Sequence, residues 1–114
     1  MDPGREQRRD YYRLEYPAAE RPTVRFRGRD YTVSEVSSGG LRILPGRQGG
    51  FREGQFFAGV IRFVDGGVAP VVGRVHRLDG NEAVIKLAIG IRLNRMMAEQ
   101  LRIRRKYPMY FENE

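Results

Sequence analysis

Apolar and polar positions alternate with period two along most of this chain. Val24 and Phe26 share one face of a strand predicted over residues 23–27. Gly28-Arg29 then signals a turn. Tyr31, Val33 and Glu35 fall on one side of the next strand, and Leu41 and Ile43 alternate after Gly39-Gly40. PGRQGGFREG at 45–54 reads as a mobile glycine-rich loop. Two longer strands, 55–64 and 68–78, flank Asp65-Gly66-Gly67, a hairpin signal. Asp79-Gly80-Asn81 turns the chain again into a strand over 82–89. Short strands in succession with tight turns predict an antiparallel barrel or sandwich.

The period then changes. Leu93, Met96, Met97 and Leu101 recur at helical spacing, which predicts a helix over about 94–106 with Asn94 as its N-cap. Arg102, Arg104, Arg105 and Lys106 fill the last turns, where cations complement the helix dipole, and Tyr107-Pro108 ends the element. The apolar stripe is expected to dock on the barrel. Residues 1–10 are polar and read as a flexible lead-in to one domain over 11–110.

With 114 residues, one domain with a small core is the natural count. The chain has no cysteine, which excludes disulfides, zinc fingers and thiol catalysis. It shows neither a membrane-length apolar run nor the apolar stretch of a signal peptide, so a cytoplasmic location is expected. The net charge is +7, and Lys86 and Lys106 are the only lysines. That bias to arginine suits phosphate and the O6/N7 edge of guanine, which a planar guanidinium grips with two parallel hydrogen bonds.

Catalysis finds little support. His76, the single histidine, sits in a strand with no Ser/Asp pairing near it in sequence. Ser34, Ser37 and Ser38 lack a recognisable base, Asp65 and Asp79 read as turn residues, and no cluster has metal-ligand spacing. Gly39-Gly40 does not precede a helix, so neither a P-loop nor a dinucleotide-binding turn fits. The chain reads as a binding protein rather than an enzyme, with neither metal nor cofactor.

Binding chemistry concentrates in two strings. In RRDYYR at 8–13, Arg8, Arg9 and Arg13 crowd together, with Tyr11 and Tyr12 placed to anchor the segment. In SEVSSGG at 34–40, Ser37 caps a turn or donates to a ligand, and Gly40 permits close approach. With these two strings the chain resembles a PilZ domain, the bacterial receptor module for cyclic di-GMP. The family's R-x-x-x-R motif is matched by Arg9 and Arg13. Its D/N-x-S-x-x-G motif is matched at Ser37 and Gly40, with Glu35 where the family prefers Asp or Asn. The longer Glu35 keeps a carboxylate able to accept from guanine N1–H and N2–H.

The resemblance implies a six-stranded antiparallel β-barrel with a C-terminal helix and a flexible N-terminal segment. It also implies a cyclic di-GMP site of Arg8, Arg9, Arg13, Glu35, Ser37 and Gly40. There the arginines take phosphates and guanine edges, and the N-terminal segment orders over the ligand and signals to a partner protein. Arg8 adds charge that favours a stacked ligand dimer, and a homodimer stays open. Two other readings compete: a basic barrel binding single-stranded nucleic acid, or a PilZ-type adaptor that has lost its ligand. The first lacks a legible aromatic platform, and the second rests on Glu35.

Overall fold

The computed structural model describes residues 13–111, so the segment expected to be flexible, with Arg8 and Arg9, lies outside the described residues. Seven strands follow in chain order: β1 Arg13–Glu15, β2 Thr23–Phe26, β3 Arg29–Ser37, β4 Gly40–Leu44, β5 Phe56–Arg62, β6 Val68–Asp79 and β7 Glu82–Ile89. Among the described residues one α-helix, α1, runs from Leu93 to Lys106.

The ring β3-β2-β5-β6-β7-β4 closes because β4 also pairs with β3, giving a six-stranded antiparallel barrel. Closure removes the sheet edges that an open sheet leaves unpaired. The β2–β3 connection is a two-residue turn with Arg27 and Gly28 at φ 52° and 78°. Positive φ at both positions matches the twist of the flanking strands. β1 is an additional strand. It pairs with residues 35–37 of β3, on the edge that β2 uses along residues 29–32.

Inward positions at period two build the core. Val24, Val33, Phe57, Ile61, Val71 and Ile85 are all fully buried. At one end Phe26 stacks on Phe57 with ring centres 4.4 Å apart, and Tyr31 meets Phe51 edge-on at 5.1 Å. Phe51 belongs to the glycine-rich loop expected to be mobile, and its burial anchors that loop over the barrel end.

Two expectations are corrected. Strict alternation places Glu35 on one face with Tyr31 and Val33. A β-bulge between Val33 and Glu35 inserts one residue, so Val33 and Val36 both point inward and Glu35 turns outward. An extra residue shifts every later side chain to the opposite face. Ser34, the inserted residue, is buried and donates to the Glu82 carboxylate at 2.7 Å.

The helix is the second correction. It starts one residue earlier than expected, with Arg92 rather than Asn94 at the N-cap and no side-chain cap bond. Its docked face carries Met96, Glu99 and Ile103, while Leu93, Met97 and Leu101 of the expected stripe stay 45–49% exposed. The physical reason is a carboxylate in a core-facing position. Glu99, 1% exposed, accepts from the Tyr16 hydroxyl at 2.6 Å and from Arg102 Nε at 3.1 Å. Hydropathy assigns such a residue to water, and only a fully bonded site reverses that.

A second buried acid extends this network. Glu20, in the short 3-10 turn Ala18–Glu20, accepts from Lys106 Nζ and the Tyr107 hydroxyl at 3.0 Å each and from Arg102 Nη1 at 2.5 Å. Lys106 and then Arg102 hold its carboxyl at about 2, below the ordinary 4.5. A depressed acid stabilises the fold above the unfolded-state value and loses that contribution as pH falls through the folded value. Thermal unfolding is therefore expected to show a stability loss between pH 4.5 and about 2 that Glu20→Gln largely removes. An unchanged pH profile in that variant overturns the assignment.

Candidate ligand site on the barrel wall

The outer face of β3 and β4 carries the candidate site. Strand register lines up Arg13 of β1, Ser37 of β3, Gly40 of β4 and Lys86 of β7 as successive partners in one row across four strands. Beside this row lies an open pocket of about 260 Å³, lined by Arg13, Glu35, Ser37, Gly40, Arg42 and Arg77 among others. Arg13, the last residue of the first string, thus meets the second string because β1 docks antiparallel on the C-terminal half of β3.

Gly40 is needed here for space. Its backbone is not in the left-handed region, but a Cβ would stand 2.9 Å from the Ile85 carbonyl oxygen. Any side chain there must push β4 off β7 and would also stand in the row between Ser37 and Lys86. The Ser37 hydroxyl donates across the hairpin to the Gly40 carbonyl at 3.4 Å, which leaves its oxygen able to accept.

The bulge at Ser34 presents Glu35 to this pocket, where its carboxylate is partnered by two arginines. Arg13 Nε lies 2.6 Å from Oε1, and Arg42 Nε lies 3.0 Å from Oε2. Arg42 also reaches Asp79 at 3.0 Å and Glu82 at 3.1 Å. The hydrogen bond that Arg42 donates to Asp79 leads the effects that raise its guanidinium above its ordinary pKa, so Arg42 is a permanent cation at this wall. Arg77 lies 3.8 Å from Asp79. Acids thus face each described arginine of the pocket.

Of the expected site residues, Arg13, Glu35, Ser37 and Gly40 are brought together, whereas Arg8 and Arg9 lie outside the described residues. Sequence reading passed over Arg42, Arg77 and Lys86. Arg42 was within reach, since alternation with Leu41 and Ile43 turns it outward on the strand that follows Ser37. Arg77 and Lys86 depend on pairing between distant strands. His76 is exposed on β6, and no group of three or more potential metal ligands occurs among the described residues. No helix among them is long and apolar enough to cross a membrane.

A family model described as "PilZ domain" matches residues 7–107, which include both motif strings and reach the end of α1. The chain belongs to the PilZ domain family. No curated protein matches it. Among solved structures, the crystal structure of the PilZ domain of CeSA from a cellulose-synthesizing bacterium is similar at 16% identity. That match covers 75% of this chain and 88% of the other, with a TM-score of 0.46. At that level the structural likeness adds nothing to the family match. PilZ domains form a receptor family for cyclic di-GMP, and their role is regulatory binding. The candidate site of this PilZ domain is an open, arginine-rich wall that includes Gly40.

Proposed function

We propose that this PilZ domain is a non-catalytic receptor that binds cyclic di-GMP through Arg8, Arg9, Arg13, Glu35, Ser37 and Gly40 and passes the signal to a protein partner in the cytoplasm. The observation that carries the reading is the Arg13–Ser37–Gly40 row, in which the last arginine of the first motif lies beside the serine and glycine of the second.

The chemistry follows from charge. The ligand is a dianion with two guanines. Phosphate oxygens and the O6/N7 edge both accept forked, charge-assisted hydrogen bonds from guanidinium groups. Without ligand, Glu35 occupies Arg13 and Arg42 much as a phosphate would. Ligand phosphates replace Glu35 at Arg13, and the freed carboxylate accepts from guanine N1–H and N2–H. Because acids already face Arg13, Arg42 and Arg77, the added positive charge comes from Arg8 and Arg9, drawn onto the wall with the ligand. The Gly40 floor admits a flat base. Arg8 adds charge suited to a stacked pair of ligands.

Calorimetric titration of the full chain is expected to give saturable binding of cyclic di-GMP and much weaker binding of cyclic di-AMP. Adenine carries N6–H2 where guanine carries O6, so an arginine fork there meets a donor instead of an acceptor. Equal affinity for the two ligands overturns the guanine-reading part. Tighter binding of a single-stranded oligonucleotide, falling steeply with salt, points instead to a nucleic-acid barrel.

A further inference from the structure

Away from the ligand wall, an open groove of about 520 Å³ lies where β6 and β7 meet the start of α1. Val68, Pro70 and Ile89 form its apolar lining, and Arg92 lies at the helix end. Val68 and Ile89 are 58% and 56% exposed, although each is large enough to be worth burying. The apolar surface continues onto the sheet. Pro70 pairs with Val60 across β5–β6, Val68 pairs with Arg62, and Val60 is itself 46% exposed.

Charge on this surface has one sign. No acid lines the groove, β5 carries none, and β6 carries none before Asp79. Asp65, in the turn before β6, is taken up by Arg95 Nη1 at 2.8 Å and by the Gly67 amide at 2.9 Å. Arg62 and Arg92 have no ion-pair partner among the described residues. An apolar concavity with Arg92 on its rim, and Arg62 beside Val68 on the adjoining strand, neither meeting an acid among the described residues, is complementary to side chains that combine aliphatic bulk with flanking carboxylates.

The geometry points to this groove as a docking site for an acidic peptide segment of a partner protein, with aliphatic side chains in the Val68–Pro70–Ile89 hollow and a carboxylate on Arg92. A nucleic-acid strand is disfavoured. The groove holds no aromatic ring on which a base could stack, and Phe56, further along β5, lies under the Arg74 guanidinium. A bilayer surface is disfavoured because a hollow receives side chains, whereas membrane docking needs protruding ones. This inference stands on its own and does not require that the barrel wall binds cyclic di-GMP.

Panning a random dodecapeptide phage library on the immobilised full chain tests it. Enriched peptides are expected to be net acidic with at least two aliphatic residues. Resynthesised, they should shift the amide resonances of Val68, Ala69, Ile89 and Arg92 in the isotope-labelled protein. Arg92→Glu should weaken them by about tenfold or more. Its spectrum, otherwise unchanged, checks that the variant is folded. Failure to enrich acidic aliphatic peptides, shifts that map elsewhere, or full affinity in Arg92→Glu overturns the proposal. So does stronger, Arg92-dependent binding of oligothymidylate or of phosphatidylglycerol vesicles, which assigns the groove to a different occupant.

Discussion

Glu99→Ala is expected to destabilise the protein by about 3–5 kcal/mol, the range for removing one partner from a buried charged network. Glu99 is 1% exposed and accepts both from Tyr16 and from Arg102. Truncation strands the Tyr16 hydroxyl inside the protein, where burial, and then the bond to Glu99, push its pKa upward. It also costs Arg102 one of its two carboxylates, leaving Glu20. A small cavity adds to the loss. Glu99→Gln keeps the volume and an acceptor for Tyr16, so its cost should be clearly smaller. Chemical denaturation at neutral pH measures both variants. A loss within about 1 kcal/mol for the alanine variant would place the network in water and make it an ordinary surface pair.

The second large effect falls on the ligand. Arg13→Ala is expected to weaken cyclic di-GMP binding by about 2 kcal/mol or more, roughly thirtyfold, as for a charge-assisted partner lost from a site. The same substitution should barely change stability. The Arg13 side chain is 53% exposed, and an exposed ion pair contributes little to folding. Arg13→Lys keeps the charge without the fork and should recover only part of the affinity. Paired calorimetry and thermal unfolding separate the two effects. If Arg13→Ala bound normally but unfolded readily, Arg13 would be a strut between β1 and β3.

Much of the fold is legible along the chain because it depends on neighbours in sequence. Alternation at Val24/Phe26 and Leu41/Ile43 set strands and inward faces. Asp65-Gly66-Gly67 and Asp79-Gly80-Asn81 set hairpins, since turn geometry is local. The cationic last turn and Tyr107-Pro108 set where α1 stops. The motif strings likewise carry the family, which the match over residues 7–107 bears out.

What sequence could not decide involves partners far apart. Nothing local says that β3 holds one residue more than its partner between Val33 and Glu35, so the turn of Glu35 toward Arg13 and Arg42 is invisible in the alternation. Nor does hydropathy admit Glu99 to the docked face of α1. That burial is favourable only once Tyr16, 83 residues away in sequence, delivers its hydroxyl. The row Arg13–Ser37–Gly40–Lys86 exists only after β1, β4 and β7 have found their registers. By itself the sequence determined the six barrel strands, the turns between them, the helix and the residue types able to grip phosphate and guanine, because those follow from side-chain chemistry and short-range periodicity. The tertiary structure alone decided which of these residues face one another, because bulges, buried ion pairs and barrel closure are governed by contacts between segments that sequence keeps apart.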